Sequence, residues 1–189
     1  MENQIEEQVF KSKNLLNYTF ANGYESCQFI NCNFSTGNLK GVLFTDCEFE
    51  ECDLSNINLD HTSFQNCNFK ACKMMGLLFN NCETFAFSIS VNECILNHSS
   101  FFGMKLNKTV FKNSKLQEVD FSGADLSHSK FLNSDLSGAV FQNTNLTKAD
   151  FSSAQNYNID PENNKLKGAK FHLSQVSGLL NKYQIKIEH

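Results

Sequence analysis

Cysteine is the residue type in this chain with the most varied chemistry, and the chain has eight. Six of them form three pairs whose members are five residues apart, and the pairs recur every 20 residues. Zinc-binding pairs are usually separated by roughly two to four residues. Four residues separate each pair here, but a five-residue step places its two members on adjacent sides of the repeat described below, which argues against a zinc site. We expect reduced, buried thiols that pack as small apolar side chains, with a redox or metal role as the alternative. The eight are Cys27, Cys32, Cys47, Cys52, Cys67, Cys72, Cys82 and Cys94.

The histidines show no arrangement that is typical of catalysis. His61, His98 and His128 each lie two residues after a Leu, and none has a Cys or an acidic residue at the spacing of a metal motif. The chain also lacks the sequence motifs of serine hydrolases, zinc proteases and phosphate-binding loops. We therefore expect exposed histidines, no metal, no cofactor and no enzymatic activity.

Acidic residues form two groups. Residues 41–69 contain six acids and no Lys, and residues 118–135 contain four acids and one Lys. Such groups either keep a surface soluble or present negative charge to a basic partner. The candidate partner-binding residues are Asp46, Glu48, Glu50, Glu51, Asp53, Asp120, Asp125 and Asp135.

Length and charge narrow the class of protein. The 189 residues fit a single domain, here taken as 1–189. The net charge of −4 argues against direct binding to nucleic acid, and no apolar run is long enough to span a membrane. Residues 1–8 lack the basic start and apolar stretch of a signal peptide, so we expect a cytoplasmic protein.

A five-residue repeat positions these side chains. From Leu96 to Phe151, every fifth residue is Leu or Phe in strict alternation, and a mostly small residue lies two positions before each. A period of five fits neither an α-helix nor a single strand. It fits a chain that turns a corner after each short extended side, with two side chains per unit facing inward. The repeat covers about residues 10–171, with breaks near 23–25, 80–93 and 157–164.

The cysteine pairs indicate how many sides make one coil. Their recurrence every 20 residues corresponds to four units of five, so residues 20 apart should lie one above another. This register predicts that Phe101, Phe121 and Phe141 stack on one side of the coil and that Leu116 and Leu136 stack on another.

The segment from Ala124 to Ser153, ADLSHSKFLNSDLSGAVFQNTNLTKADFSS, resembles the pentapeptide-repeat family, whose consensus is roughly A-(D/N)-L-X-X. The resemblance implies an all-β fold, a right-handed quadrilateral parallel β-helix. The coils stack at the spacing of neighbouring strands, about 4.8 Å, so roughly eight coils form a rod about 40 Å long.

Residues 173–189 break the repeat and resemble a cap for the open end of the rod. Ser174 is the expected helix N-cap, and residues 184–188 alternate like a short strand. We expect a homodimer through the apolar residues of this helix and strand, because one end coil cannot cover them all. The residues are Val176, Leu179, Leu180, Tyr183, Ile185 and Ile187.

Within the family, the chain resembles the Qnr-like quinolone-resistance proteins and the self-immunity proteins McbG and MfpA. The shared features are the nearly full-length repeat, the interrupted middle and the C-terminal cap. This resemblance implies that the rod imitates duplex DNA and binds DNA gyrase or topoisomerase IV without catalysing a reaction. With a net charge of −4, such imitation depends on shape and on local acidic groups. The alternative is a scaffold that binds another protein.

Overall fold

The computed structural model describes residues 4–188 and shows a parallel β-solenoid of about eight coils, which confirms the all-β fold expected from the sequence. Met1 to Asn3 and His189, which the expected domain and cap include, lie outside the described residues. The strands within residues 4–188 are β1 (Gln4–Glu6), β2 (Val9–Lys11), β3 (Gly23–Glu25), β4 (Gln28–Ile30), β5 (Leu43–Thr45), β6 (Glu48–Glu50), β7 (Ser63–Gln65), β8 (Cys67–Lys70), β9 (Ile89–Asn92), β10 (Val110–Lys112), β11 (Lys130–Leu132), β12 (Asp150–Phe151) and β13 (Lys170–Phe171).

Each coil has four sides, numbered 1 to 4 in chain order. The sheet β1-β3-β5-β7 forms side 1, and the nine-stranded sheet from β2 to β13 forms side 2; every pairing is parallel. Single bridges between successive coils define sides 3 and 4 and continue side 1 into the second half. The bridging residues include Lys105, Asp125, Asn145 and Lys165 on side 1; Asn33, Asp53, Lys73, Ile95, Lys115, Asp135 and Gln155 on side 3; and Leu78, Ser100, Asp120 and Val140 on side 4.

The first break in the repeat shortens a coil by one residue. Gln4 pairs with Gly23, a step of 19, whereas Gly23 pairs with Leu43, a step of 20. The missing residue falls just before β3, because Phe20 and the buried Tyr24 are only four apart. The expected break near 23–25 is therefore displaced: these residues form a regular strand, and the Tyr24 hydroxyl accepts a hydrogen bond from the Ala21 N–H at 3.1 Å.

The second break lengthens one coil by two residues. Cys67 pairs with Ile89, a step of 22, and the 20-residue step returns in the next coil, where Ser90 pairs with Val110. A 3-10 helix, Phe79–Asn81, opens the irregular segment. Phe87, half-buried, packs edge-to-face against Phe79 with ring centroids 6.3 Å apart. The extra residues therefore replace side 1 of this coil and leave the other three sides in register.

Stacked aromatic rings fill the axis. Phe101, Phe121 and Phe141 lie one above another on side 4, with centroids 5.5 and 5.2 Å apart, which confirms the predicted register. Lys115 and Asp135, which immediately precede Leu116 and Leu136, pair on side 3, so these two leucines also stack as predicted. Each ring also meets rings of the opposite side, side 2, edge-on across the axis, so the core is closely packed.

Corner residues two positions after the central Leu or Phe adopt a left-handed backbone. Gly123 is one, with φ of 69°, and His61, His98 and His128 are others, with φ of 54°, 62° and 59°. All three histidines are exposed, as expected. Gly178, which occupies the same position in the repeat, is not a corner, because it lies in the C-terminal 3-10 helix.

The break expected at residues 157–164 adds no residues to its coil, because Asn145 and Lys165 pair at the regular step of 20. Tyr157 and Ile159 point into the solenoid and are buried, and the Ile159 N–H donates to the carbonyl of Gly178 at 2.9 Å. An added Cβ at Gly178 would lie 2.2 Å from the carbonyl oxygen of Tyr157. This segment therefore closes the last coil and provides the surface on which the C-terminal cap packs.

The cap differs from the expected helix and strand. It consists of two 3-10 helices, Leu173–Leu179 and Asn181–Tyr183, and residues 184–188 form no strand. Ser174 is not the N-cap: the His172 side chain holds that role and accepts from the Ser174 N–H at 3.2 Å. No helix within residues 4–188 is long and apolar enough to cross a membrane.

Candidate protein-binding surfaces

The aspartates just before the central Leu or Phe brace the backbone. The Oδ1 atoms of Asp53, Asp120, Asp125 and Asp135 each accept a hydrogen bond from the N–H two residues later, at 2.8 to 3.1 Å. All four side chains are half-buried. Asparagine does the same at several equivalent positions, so the turn needs an acceptor oxygen and not a charge. These four carboxylates are therefore less available to a partner than their outward position suggests.

Asp135 is the most strongly held of these groups. Its burial alone would raise the pKa, but hydrogen bonds from Ser137, Asn156 and Gln117 outweigh that effect and lower the pKa to about 2. The Gln117 amide donates to Oδ2 at 2.7 Å and the Asn156 amide to Oδ1 at 2.8 Å. Asp135 thus stays ionised and links adjacent coils.

The structure separates the eight candidate acids. Asp120, Asp125 and Asp135 belong to the bridges of sides 4, 1 and 3 respectively, so they do not share a surface. Asp53 lies on side 3, four coils from Asp135. Only the four acids on strand β6 and its two flanking corners cluster, and we call this group the acidic patch: Asp46, Glu48, Glu50 and Glu51.

The acidic patch occupies side 2 of one coil and the corner on either side of it. Asp46, Glu48 and Glu51 are exposed. Glu50 forms an ion pair with Lys70 of the next coil at 2.6 Å, and the Asn66 amide donates to Asp46 at 2.5 Å. Exposed ion pairs are weak, so much of the negative charge remains open to a partner.

The cysteines occupy the small inward position, as predicted. All eight are buried, and each Sγ of the six paired residues lies within hydrogen-bonding distance of a carbonyl in the coil below, such as Cys52 to Phe29 at 3.2 Å. Burial raises the pKa of Cys47 and Cys67 to about 12, so these thiols stay protonated. Among the described residues, no three His, Cys, Asp or Glu side chains are placed to hold a metal ion.

Two histidines have acidic neighbours that local motif spacing did not reveal. His61 Nδ1 lies 2.6 Å from Glu83, and His98 Nδ1 lies 3.2 Å from Glu118. Their separations of 22 and 20 residues are one coil each, so the signal was in the repeat length and not in a short motif. All four side chains are exposed, so each pair is a weak surface contact.

Large apolar side chains stand exposed in the middle of the rod, and the sequence reading did not single them out. Leu78 is 50% exposed, Phe102 is 59% exposed and Phe85 is 81% exposed. Leu78 and Phe102 fall at outward positions of side 4, and Phe85 lies in the lengthened coil. An apolar residue at an outward position of the repeat was the signal that could have found them.

The six predicted cap residues divide into two groups. Val176, Leu179 and Leu180 are half-buried, and Leu179 packs against the core. Tyr183, Ile185 and Ile187 are 50 to 57% exposed, and Leu173 beside them is 85% exposed. The end of the rod therefore carries an uncovered apolar surface.

Lys182 fastens the cap to the last coil. Its ammonium lies 2.7 Å from Asp160 and also contacts Glu162, and the Tyr183 hydroxyl donates to Glu162 at 2.8 Å. Hydrogen bonds from Lys182 lower the pKa of both carboxyl groups. This ionic contact fixes the direction of residues 181–183.

Two models of a known protein family match this sequence. A model described as "Pentapeptide repeat region" matches residues 84–151, and one described as "Pentapeptide repeats (8 copies)" matches residues 27–66 and 37–76. Together they cover more than half of the chain. The chain belongs to the pentapeptide-repeat family. A search of curated protein sequences found no significant match.

Two solved pentapeptide-repeat structures resemble this one. A trypsin-treated variant of QnrB1, a plasmid-mediated fluoroquinolone resistance protein, has a TM-score of 0.50 and 22% identity, over 98% of this chain and 100% of that one. HetL, involved in heterocyst differentiation regulation in Nostoc sp. strain PCC 7120, has a TM-score of 0.60 and 17% identity, over 91% of this chain and 87% of that one. These likenesses establish a shared fold.

The braced aspartates explain the pentapeptide-repeat consensus in this chain. The Asp or Asn of each unit supplies the acceptor oxygen for the next backbone N–H, and the residue before it fills the small inward position. Residues outside these two tasks and the central Leu or Phe are free to vary. The surfaces that could distinguish this member are therefore the acidic patch, the exposed apolar side chains and the cap.

Proposed function

We propose that this pentapeptide-repeat protein is a non-catalytic rod that binds DNA gyrase or topoisomerase IV in place of duplex DNA. In this role it protects the enzyme from quinolones or from a natural gyrase poison. QnrB1, whose fold this chain shares over its full length, is a fluoroquinolone resistance protein. Fold alone does not fix function, so the argument rests on the charged surface.

The acidic patch and its surroundings carry the proposal. In the first four coils, sides 1 and 2 hold seven carboxylates: Glu6, Glu7, Glu25, Asp46, Glu48, Glu50 and Glu51. Four coils span about 19 Å, over which duplex DNA carries roughly 11 phosphates. The local density of negative charge is thus within a factor of about two of that of DNA, although the whole chain carries only −4.

A supercoiling assay tests the proposal. Purified gyrase inhibited by a fluoroquinolone should regain supercoiling activity when the wild-type rod is added, and Glu48→Gln/Glu51→Gln should restore less. Glu118→Gln/Asp120→Asn is the matched control, because it removes two charges from side 4 and its corner while Asn keeps the turn acceptor. No protection by wild type, or equal loss in both double variants, would contradict DNA imitation through the patch.

The uncovered apolar surface of the cap supports a homodimer joined end to end. Such a dimer would double the length of the rod and place two acidic patches far apart, as two contacts on a two-fold symmetric enzyme require. Deleting residues 173–189 should give monomers or aggregates by light scattering. A stable dimer after this deletion would place the interface elsewhere.

The second candidate function is a scaffold for another protein. It is favoured by one observation, the exposed Leu78, Phe85 and Phe102, which sit away from the acidic patch. A partner that uses these side chains would bind through apolar contact and would depend little on salt. Replacing Phe85 and Phe102 by Ser should then abolish its binding and leave gyrase protection unchanged.

A further inference from the structure

Charge is segregated along sides 1 and 2. Their first four coils hold seven acids and two lysines, a net charge of −5. Their last four coils hold two aspartates and eight lysines, a net charge of +6. The lengthened coil of residues 82–93 separates the two halves. The eight lysines are Lys105, Lys108, Lys112, Lys130, Lys148, Lys165, Lys167 and Lys170.

The basic half has little compensation within the chain. None of these eight lysines forms an ion pair with a described residue. Asp150 lies between Lys130 and Lys170 in the sheet and offsets part of their charge, and Asp125 and Asp150 both accept hydrogen bonds from the following turns. Lys108 and Lys148 fall at the same corner two coils apart, about 10 Å, with His128 between them. Like charges at this distance repel, whereas a surface selected only for solubility mixes its charges.

A second copy of the chain complements this pattern. A two-fold axis across the middle of the rod places the acidic half of one copy on the basic half of the other, so that net charges of −5 and +6 face each other. A side of five residues at about 3.3 Å each is at most about 16 Å wide, and the rod is about 40 Å long. A flat contact along one such side covers roughly 600 Å² per copy, at the lower end of specific interfaces.

We propose that sides 1 and 2 form a lateral, antiparallel interface between two copies of this protein, held together by charge. A nucleic acid fits the basic half alone but meets the acidic half of the same sides, so it explains only part of the pattern. The proposal does not rest on gyrase binding. The two roles would compete, because lateral pairing covers the acidic patch.

A charge-swap experiment tests this interface. One variant, Glu48→Lys/Glu51→Lys, makes the acidic half basic, and the other, Lys108→Glu/Lys148→Glu, makes the basic half acidic. All four side chains are exposed, and three of them are corner residues with φ near +60°, so the exchange leaves the core unchanged. The control is Lys40→Glu/Glu118→Lys, which reverses two exposed charges on side 4 and its corner.

Sedimentation velocity at about 20 mM and about 300 mM salt is the readout, because the Debye length falls several-fold between them. Wild type and control should show a larger weight-average mass at low salt that falls at high salt. Each swapped variant alone should stay small, and an equimolar mixture of the two should recover the larger species. Cap pairing is apolar and is present in every sample, so it does not alter the comparison.

Three results would overturn the proposal: a wild-type mass that is the same at both salt concentrations, swapped variants that associate as wild type does, or a mixture that stays small. A 20-base-pair duplex added to the wild type gives a further test. If the duplex binds at low salt while the protein alone stays small, the basic half serves nucleic acid and the lateral interface is wrong.

Discussion

Phe101 and Phe102 are neighbours in sequence with opposite environments, and replacing each by Ala tests the register of the whole solenoid. Phe101 is fully buried and stacks between Phe79 and Phe121, with centroids 4.4 and 5.5 Å away. Phe102 is 59% exposed. The two substitutions remove the same atoms, so any difference between them comes from position.

The expected effects differ by several kcal/mol. Truncating a buried Phe costs about 3–5 kcal/mol, and the loss of two stacked partners places Phe101→Ala at the upper end of this range. Phe102→Ala should lie within about 0.5 kcal/mol of wild type, as exposed substitutions usually do. With a urea m-value of about 2 kcal/mol/M, Phe101→Ala lowers the midpoint by about 2 M.

Urea unfolding followed by far-UV circular dichroism measures both variants. In a solenoid each coil contacts only its neighbours, so a central lesion can uncouple the two halves. A lower slope or a second transition for Phe101→Ala is therefore expected together with the lower midpoint. If Phe102→Ala destabilised as much as Phe101→Ala, the inward and outward positions assigned throughout the repeat would be wrong.

Three further predictions concern the thiols, one carboxylate and the cap. All eight cysteines should be unreactive toward a thiol reagent in the native protein and give eight free thiols in denaturant; a zinc content or a native disulfide would contradict this. Because the folded pKa of Asp135 is depressed to about 2, its stabilising contribution is present above pH 4 and is lost as the pH falls from about 4 to 2. Asp135→Asn should therefore make the unfolding midpoint depend less on pH in that window. A pH dependence equal to that of wild type would refute this. Gly178→Ala should detach the cap, because its Cβ would overlap the Tyr157 carbonyl, and faster proteolysis after residue 172 would report it, whereas wild-type resistance would contradict it.

The solenoid itself could be predicted from sequence because one spacing controls it. Inward Leu and Phe residues every five positions and cysteine pairs every 20 determine the four sides and the stacking of coils. The 22-residue coil is also visible in the sequence, because Phe79 and Leu96 are 17 residues apart where three units would give 15. The shortened first coil was misplaced because Tyr24, an aromatic residue with a hydroxyl, was not recognised as the inward residue of its unit.

The ends and the surface of the rod depend on interactions that leave no periodic signal in the sequence. The cap became 3-10 helices capped by His172, since the packing of Gly178 on Tyr157 decides its path. The aspartates before the central residues looked like free outward charges, but their oxygens are occupied by backbone N–H groups. Acids close in sequence, such as Asp120 and Asp125, diverge because five residues turn the chain onto the next side.

The central claim, that the acidic patch lets this rod replace DNA on gyrase, is tested most directly by measuring the affinity for gyrase at several salt concentrations. Wild type should bind, and its affinity should fall as salt rises from about 50 to 200 mM, because the contact is charge-dependent. Glu48→Gln/Glu51→Gln should bind more weakly and with a shallower dependence on salt, and Glu118→Gln/Asp120→Asn should match wild type. Wild-type binding that is absent, or that is unaffected by salt and equal in both variants, would contradict the claim.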